Sequence, residues 1–459
     1  MTPTAPEGVV GATATANLVL DSYDRLPAVI ARVVDDPAPV KDPGAFSPGF
    51  LLPDLDDATR RFFAVADAAW RPLGDLGGHP AALLDLTLNP GTHTTKTFAS
   101  MLIVARAVEY VRRTGERVLI FTPTSANKGT ALRDAVLRAV EAGLVTPDQL
   151  RVAVLAPRGC QAKQRSSRLS ADPGLRRLNP LLCWDGDRPE EVKAVGRDFV
   201  RRYAETAHDR DGLNVWFSLE LRNYLVADAA RAFFEQRVAP TAGAPPRVHA
   251  HAVSSAYGLL GYNLGRDLLE ADGTADPAYR PGFLLVQHLG TPDMVLHLRH
   301  GSFDRAAAPA YRRDPGGLFR QDGDPRFPAV TYDPTEVLDP TFYTHQPPTA
   351  PSMTALIQRH GGDGIVVSLA ECLQRYPQLR ALLDGVRPLP PDPRQLREWS
   401  LVMALTGVLN AVERGLVPEG AEIVVHGSGS YGTADFDPIE DAAVRPVASV
   451  EDVAAALLG

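Results

Sequence analysis

Four short stretches of this 459-residue sequence carry side chains suited to chemistry. The first, NPGTHTTKT (89–97), sets a single lysine, Lys96, among Thr, Gly and His. A strand-like segment (81–88) precedes it and a clearly helical one follows. A lysine in the first turn of a helix faces the positive end of the helix dipole, which disfavours the ammonium and lowers its pKa. An amine partly deprotonated at neutral pH can form a Schiff base with an aldehyde. The same position also suits an ordinary solvated lysine, so this stretch alone assigns nothing.

The second stretch, TPTSANKGTA (122–131), opens another helix. Thr124, Ser125, Asn127 and Lys128 could hold a carboxylate or a phenolic oxygen there, or Ser125 could simply cap the helix. The third, VSSAYGLLG (253–261), leads from strand to helix through small residues and Gly258. Helix N-terminal N–H groups with the Ser254 and Ser255 hydroxyls suit a phosphate, and the plainer alternative is a β–α connection with no ligand. The fourth, HGSGSYG (426–432), formally contains G-x-G-x-x-G after a strand. A dinucleotide fingerprint needs a helix at the third glycine, then a further strand and an acidic residue. TADFDPIED follows instead, and the dinucleotide reading is rejected. His249 and His251 alternate on one strand face, but no third ligand lies nearby in sequence. They are read as packed histidines, and no metal site is expected.

Loops of this kind are positioned by alternating strands and helices. KTFASMLIVARAVEYVRR places Phe98, Met101, Leu102, Ala105 and Val108 on one helical face. RVLIFTPT, LRVAVLAP, NPLLCWD, RVHAHAV, GFLLVQHL and AEIVVHGSG are short apolar strands, and LRNYLVADAARAFFEQRV reads as one amphipathic helix. Such alternation predicts an α/β protein with mainly parallel sheets, whose strand ends meet ligands. Residues 1–80 read as a polar arm with helical pieces such as DDATRRFFAVADAAW. Residues 300–352, rich in Pro, Asp, Gly and aromatics, break the rhythm and read as a lid or binding loop.

Composition narrows the function classes. The chain is 45% hydrophobic and 22% charged, as soluble globular proteins are. A net charge of −8 without a basic block disfavours nucleic-acid and anionic-membrane partners. Cys160, Cys183 and Cys372 show no paired spacing, which reads as a reducing compartment. The expectation is a cytoplasmic protein with neither a signal peptide nor a membrane span.

Taken together and in order, the four loops resemble those of the fold type II pyridoxal-phosphate enzymes, the superfamily of threonine synthase, cysteine synthase and the tryptophan synthase β-subunit. In that family an Asn-Pro-x-Gly-Ser-x-Lys stretch carries the Schiff-base lysine, and NPGTHTTKTFAS matches it with Lys96. A Ser-Gly-Asn-x-Gly loop follows, and Ser125-Ala126-Asn127-Lys128-Gly129 is similar to it. By this resemblance Asn127 bonds the cofactor's ring hydroxyl, while Thr124, Ser125, Ala126 and Lys128 take the substrate carboxylate. Ser254, Ser255, Ala256, Tyr257 and Gly258 stand in place of the glycine-rich phosphate cup. VVHGSGS resembles the strand that faces the pyridine nitrogen, with either His426 or Ser428 as the partner. GGDGIVVSLAECL and EWSLVMALTGVL resemble the family's late segments, so the correspondence spans about 81–435.

The implied architecture is two mainly parallel α/β domains with a cofactor cleft between them, plus an N-terminal arm. The expected boundaries are 1–80 for the arm, 81–97 with 209–459 for the large cofactor-binding domain, and 98–208 for a small mobile domain. The implied cofactor is pyridoxal 5′-phosphate. The implied activity is a lyase or transferase acting on an amino acid by β- or γ-elimination or replacement, in a homodimer. A neutral hydroxyl such as Ser428 at the ring nitrogen favours that chemistry over transamination, whereas a charged His426 shifts the balance. Departures from the pattern are a glycine-poor cup with Tyr257 in it, Lys128 beside Asn127, and the 300–352 insertion. Lys128 suggests an anionic or activated substrate, or is a solvated lysine. The alternatives are a non-catalytic or cofactor-binding scaffold of the same fold, and a decarboxylase or racemase.

Overall fold

Two mainly parallel sheets, each wrapped by helices, organise the computed structural model, which describes residues 13–459 apart from 187, 189–190, 242–244 and 343. Contacts divide the chain into two compact units. Unit one holds the described residues up to Leu18, then Asp67–Leu88 and Asp228–Ala434; unit two holds Val19–Ala66, Asn89–Ala227 and Asp435–Gly459.

In chain order, β1 (Ala14–Asn17) precedes α1 (Leu26–Val33) and α2 (Asp57–Phe63), and β2 (Asp67–Asp75) leads into β3 (Pro80–Asp85). Then come α3 (Lys96–Thr114), β4 (Arg117–Pro123), α4 (Asn127–Glu141), β5 (Leu150–Pro157), α5 (Arg168–Ala171) and α6 (Pro173–Leu178). β6 (Leu181–Trp184), α7 (Val192–Asp211), β7 (Leu213–Phe217) and α8 (Arg222–Asp228) follow. Next are α9 (Ala230–Val238), β8 (Arg247–Ala252), α10 (Tyr257–Ala271), β9 (Gly282–His288) and α11 (Asp293–His300). Three two-residue strands, β10 (Arg312–Arg313), β11 (Phe319–Arg320) and β12 (Val330–Thr331), precede α12 (Ala350–His360), β13 (Gly362–Val367) and α13 (Leu369–Leu382). β14 (Leu396–Glu398), α14 (Ser400–Glu413), β15 (Glu422–Gly427), β16 (Tyr431–Gly432), β17 (Val444–Val447) and α15 (Val450–Leu457) close the order.

Unit one contains the seven-stranded sheet β1-β2-β3-β15-β8-β9-β13, antiparallel at the β1 edge and parallel from β3 onward. Its central strands are buried along their whole length, as strands of a parallel sheet covered by helices on both faces are. One face packs Val248, Ala250, Val286, Ile423 and Val425 with residues of α13 and α14. The other face carries Phe283 and Leu285 with residues of α9, α10 and α12. Unit two contains the all-parallel sheet β17-β6-β5-β4-β7, whose β4, β5 and β7 pack with α7 and α15.

The division differs from the expected one at four places, one being that residues 209–227, expected in the large domain, belong to unit two. Part of the expected arm supplies β1 and β2 to unit one, while residues 19–66 belong to unit two; residues 1–12 lie outside the described residues. Unit one releases the chain at Leu88, which puts Lys96 in unit two. The last segment joins unit two because β17 pairs with β6. DDATRRFFAVADAAW is helical only over Asp57–Phe63, since Asp67–Trp70 is claimed by pairing with β1 and β3. The single helix expected over 221–238 is broken into α8 and α9, where the chain passes from one unit's core to the other's.

The 300–352 segment, Tyr343 outside the described residues excepted, is tied down. Phe327 is buried against Leu289, Val295, Leu296 and Val366, and Arg326 pairs with Asp363 at 2.7 Å.

Candidate functional site

Lys96 is the first residue of α3, half-buried; the N-cap Thr95 makes no side-chain cap bond, and the Lys96 N–H donates to Thr94 Oγ1 at 3.4 Å. The turn before it builds itself from the hydroxyl and amide residues that surround the lysine. Asn89 Oδ1 accepts from Thr94 N at 3.2 Å and from the Thr92 hydroxyl, and Asn89 Nδ2 donates to Thr94 O at 3.2 Å. The Thr92 and Thr97 hydroxyls bond at 2.7 Å, and His93 takes φ 52°. These groups therefore serve the turn's own backbone and fix where Lys96 leaves it. The Lys96 ammonium lies over the Tyr224 ring, 5.2 Å from its centroid.

Asn127 opens α4. Its N-cap is Ala126, with no side-chain cap, so the Ser125-cap alternative is not what the structure shows. Gly129 is required by packing: a Cβ there would lie 2.7 Å from Val154 Cγ1 and 3.0 Å from Thr124 Cγ2. Thr124 is buried, and its N–H donates to Leu155 O at 2.9 Å. Lys128 is 6% exposed, which excludes the solvated-lysine reading. Its Nζ donates to Ser218 O at 2.5 Å and lies 5.8 Å from the centroid of the same Tyr224 ring that Lys96 faces. Burial, then the neighbouring cations Lys96 and Lys193, push its pKa down to about 7.

In unit one the 253–257 loop turns through Ala256, the N-cap of α10, at φ 50°. No side chain caps this helix. Thr349 Oγ1 pins the loop by donating to Ser255 O at 2.6 Å. The Ser254 hydroxyl is screened from solvent yet has no partner among the described residues. Leaving a buried hydroxyl unbonded costs about 1–3 kcal/mol, so the group points to an absent acceptor or donor. Tyr257 is half-buried, and burial raises its phenol pKa. Gly258 is dictated by Arg231, because a Cβ there would stand 2.6 Å from Arg231 Nη1.

Arg231, on α9 and 1% exposed, anchors a buried polar network across the sheet face. Its Nη2 donates to Asp228 Oδ1 at 2.6 Å, and its Nη1 donates to His251 Nε2 at 3.3 Å and His426 Nδ1 at 3.1 Å. Accepting at Nδ1 leaves the His426 proton on Nε2, which donates to His249 Nδ1 at 2.7 Å. Both ring nitrogens of His426 are therefore engaged inside unit one. Burial, then His249, His251 and Arg231, hold its pKa well below the usual imidazole value. His249 Nε2 lies 3.3 Å from Glu235 Oε1. Burial would raise the Glu235 pKa, but His249 and Arg247 override it and hold the carboxyl well below its ordinary range. His249 and His251 are thus packed histidines of a charged network. Among the described residues no group of three His, Cys, Asp or Glu is placed to hold a metal.

Ser428 is buried just past the end of β15, beside the end of β8, whose following loop carries Ser254. No helix opens at GSGSYG; the chain passes into β16, which pairs with β14. Tyr224 and Arg231 escaped sequence reasoning. Tyr224 read as one position of an amphipathic helix, and the available signal for Arg231 was a cation among Ala and Phe on a buried face.

The arrangement of sheets and helices is that of the fold type II pyridoxal-phosphate enzymes. An L-serine ammonia-lyase from Rhizomucor miehei superposes with TM-score 0.50 at 13% identity, covering 79% of this chain and 93% of the lyase. Threonine synthase from yeast gives TM-score 0.50 at 11% identity, covering 88% of this chain and 75% of the synthase. At these identities the likeness establishes the fold. A family of unknown function (DUF6002) matches residues 14–459, and the chain belongs to that family. No curated protein matches the sequence. Among the described residues no helix is long and apolar enough to cross a membrane.

Proposed function

We propose that this chain is a pyridoxal-phosphate-dependent enzyme that acts on an amino acid by β- or γ-elimination or replacement. The observation that carries the reading is Lys96, the leading residue of α3 on a self-braced turn, in a chain of fold type II architecture. The donor set of the 253–258 loop fits a phosphate. It combines the unbonded Ser254 hydroxyl with the uncapped N-terminus of α10.

When bound, pyridoxal phosphate supplies an electron sink for the carbanion left by loss of a substrate Cα proton. Lys96 would hold the cofactor through its amine and would move that proton at Nζ. Asn127 takes the ring hydroxyl, and Thr124, Ser125, Ala126 and Lys128 form the substrate-carboxylate loop. The engagement of both nitrogens of His426 supports Ser428 as the group facing the pyridine nitrogen. A hydroxyl there does not protonate the ring, which favours elimination and replacement over transamination. The buried cation of Lys128 supports an anionic substrate, because an added negative charge relieves the repulsion between Lys128 and Lys96.

Adding pyridoxal phosphate to purified protein should produce a visible absorbance band. Borohydride reduction and peptide mapping should place the adduct on Lys96, and Lys96→Ala should abolish band, adduct and turnover. A protein that stays colourless, or an adduct on another lysine, overturns the proposal.

A further inference from the structure

A cavity of about 210 Å³ opens within unit two, bounded by the beginning of the Lys96 turn, one face of α4, and segments 164–167 and 435–437. It is smaller than the ~300–1,000 Å³ clefts that take drug-sized ligands, and so suits a compact metabolite.

Two features of its inner wall call for an anion. Arg133 is 5% exposed, and its hydrogen bond runs from Nη1 to Asn179 O at 2.5 Å. No carboxylate among the described residues pairs with it, and burial lowers its pKa to about 10, so it stays charged at neutral pH. A buried guanidinium without a counter-ion is costly. Gln164, 2% exposed, accepts from Thr130 Oγ1 at 3.4 Å, while its amide nitrogen has no partner among the described residues. A planar guanidinium and an unbonded amide lining one cavity are donors that a carboxylate can accept from together.

Towards solvent the lining carries a carboxylate, that of the exposed Asp437, while the guanidinium of Arg165 is engaged by Gly91 O and Thr92 O. Asp134 also lines the cavity but is committed to Arg138 at 2.8 Å. A ligand that is anionic at one end and cationic at the other matches this polarity, whereas a phosphate meets acidic repulsion at the mouth.

The cavity is also wired to the Lys96 turn. Gly91 lines it, and Arg165, another lining residue, donates from Nη1 to Gly91 O at 3.0 Å and from Nη2 to Thr92 O at 2.6 Å. We infer that this cavity binds a zwitterionic amino acid, carboxylate inward on Arg133 and Gln164, as an effector that steadies the turn holding Lys96. The binding stands on the cavity alone; only the effect on Lys96 rests on the reading proposed above.

The test uses full-length Lys96→Ala protein, so that chemistry at Lys96 contributes nothing to binding. The twenty proteinogenic amino acids are screened by ligand-observed NMR, and binders are titrated calorimetrically. Their methyl esters and inorganic phosphate serve as the other probes. At least one amino acid should bind, its methyl ester at least about tenfold more weakly, since the ester lacks the charged acceptor. Gln164→Glu should weaken binding by at least about tenfold, by setting a carboxylate against the ligand's own. Should Gln164→Glu not fold, Gln164→Met, which removes the donor at similar volume, is read the same way. Absence of binding by every amino acid, equal affinity in the Gln164 variant, or phosphate outcompeting amino acids overturns the inference. If wild-type protein takes up no pyridoxal phosphate while Lys96→Ala still binds amino acids through Gln164, the cavity assignment survives and the Lys96 reading falls.

Discussion

Replacing Lys128 by methionine tests directly how much the buried cation beside Lys96 costs. Burial and the Lys96 and Lys193 charges take the Lys128 pKa from 10.5 to about 7. Between those values the unfolded chain binds a proton that the native state does not, so wild-type stability rises with pH across the window. At about 1.36 kcal/mol per tenfold, the cost is on the order of 5 kcal/mol, present in full below the native pKa and relieved above the unfolded one. Methionine keeps the packing of the stem and removes the charge. It also strips the Nζ hydrogen bond from Ser218 O, a loss of about 1–3 kcal/mol for a buried carbonyl left unbonded. Lys128→Met should therefore be more stable than wild type by about 2–4 kcal/mol near neutral pH, with the advantage shrinking to about zero towards pH ~9.5. Urea denaturation of both proteins at several pH values measures it, because the difference between them removes the titrations they share. A pH-independent difference, or a variant less stable than wild type at neutral pH, would refute the reasoning.

Other substitutions probe the rest of the molecule. Gly258→Ala drives a Cβ to 2.6 Å from Arg231 Nη1 and should cost about 1–3 kcal/mol in thermal or urea unfolding, together with weaker pyridoxal-phosphate uptake. Ser254→Ala removes the unbonded hydroxyl; it should leave stability unchanged or slightly raised while lowering cofactor affinity roughly tenfold by equilibrium dialysis. Burial lowers the His288 pKa to about 4, against the opposing pull of Asp339. As pH falls from its ordinary 6.5 towards 4, the unfolded chain is protonated first. Wild type should then lose about 3 kcal/mol over that interval, a slope absent from His288→Gln in acid titrations of stability. In steady-state assays with an anionic substrate, Lys128→Met should raise KM much more than it lowers kcat; an unchanged KM removes Lys128 from recognition.

Much of the architecture was legible because it is written locally. Mostly apolar runs in β9 and β15 announce strands buried on both faces, and the 3.6-residue periodicity of Phe98 to Val108 announces α3. The positions of Lys96 and Asn127 at helix starts follow from the same short-range signals. Where the chain misled, tertiary pairing overrode local preference: Asp67–Trp70 is a strand because β1 and β3 hold it there, and 221–238 is divided because it serves two cores.

By itself, then, the sequence determined the strand–helix alternation, the loop chemistry and the lysine that opens α3. Only the tertiary structure decided that Lys128 turns inward onto Ser218, and that the ring nitrogens of His426 are taken up by Arg231 and His249. It alone decided that Arg133 and Gln164 face one cavity. The physical reason is distance along the chain. Arg231 and His426 are 195 residues apart, and Lys128 and Ser218 are 90 apart. Periodicity and turn chemistry act over a few residues, whereas burial of a charge and the partner it finds are properties of the completed core.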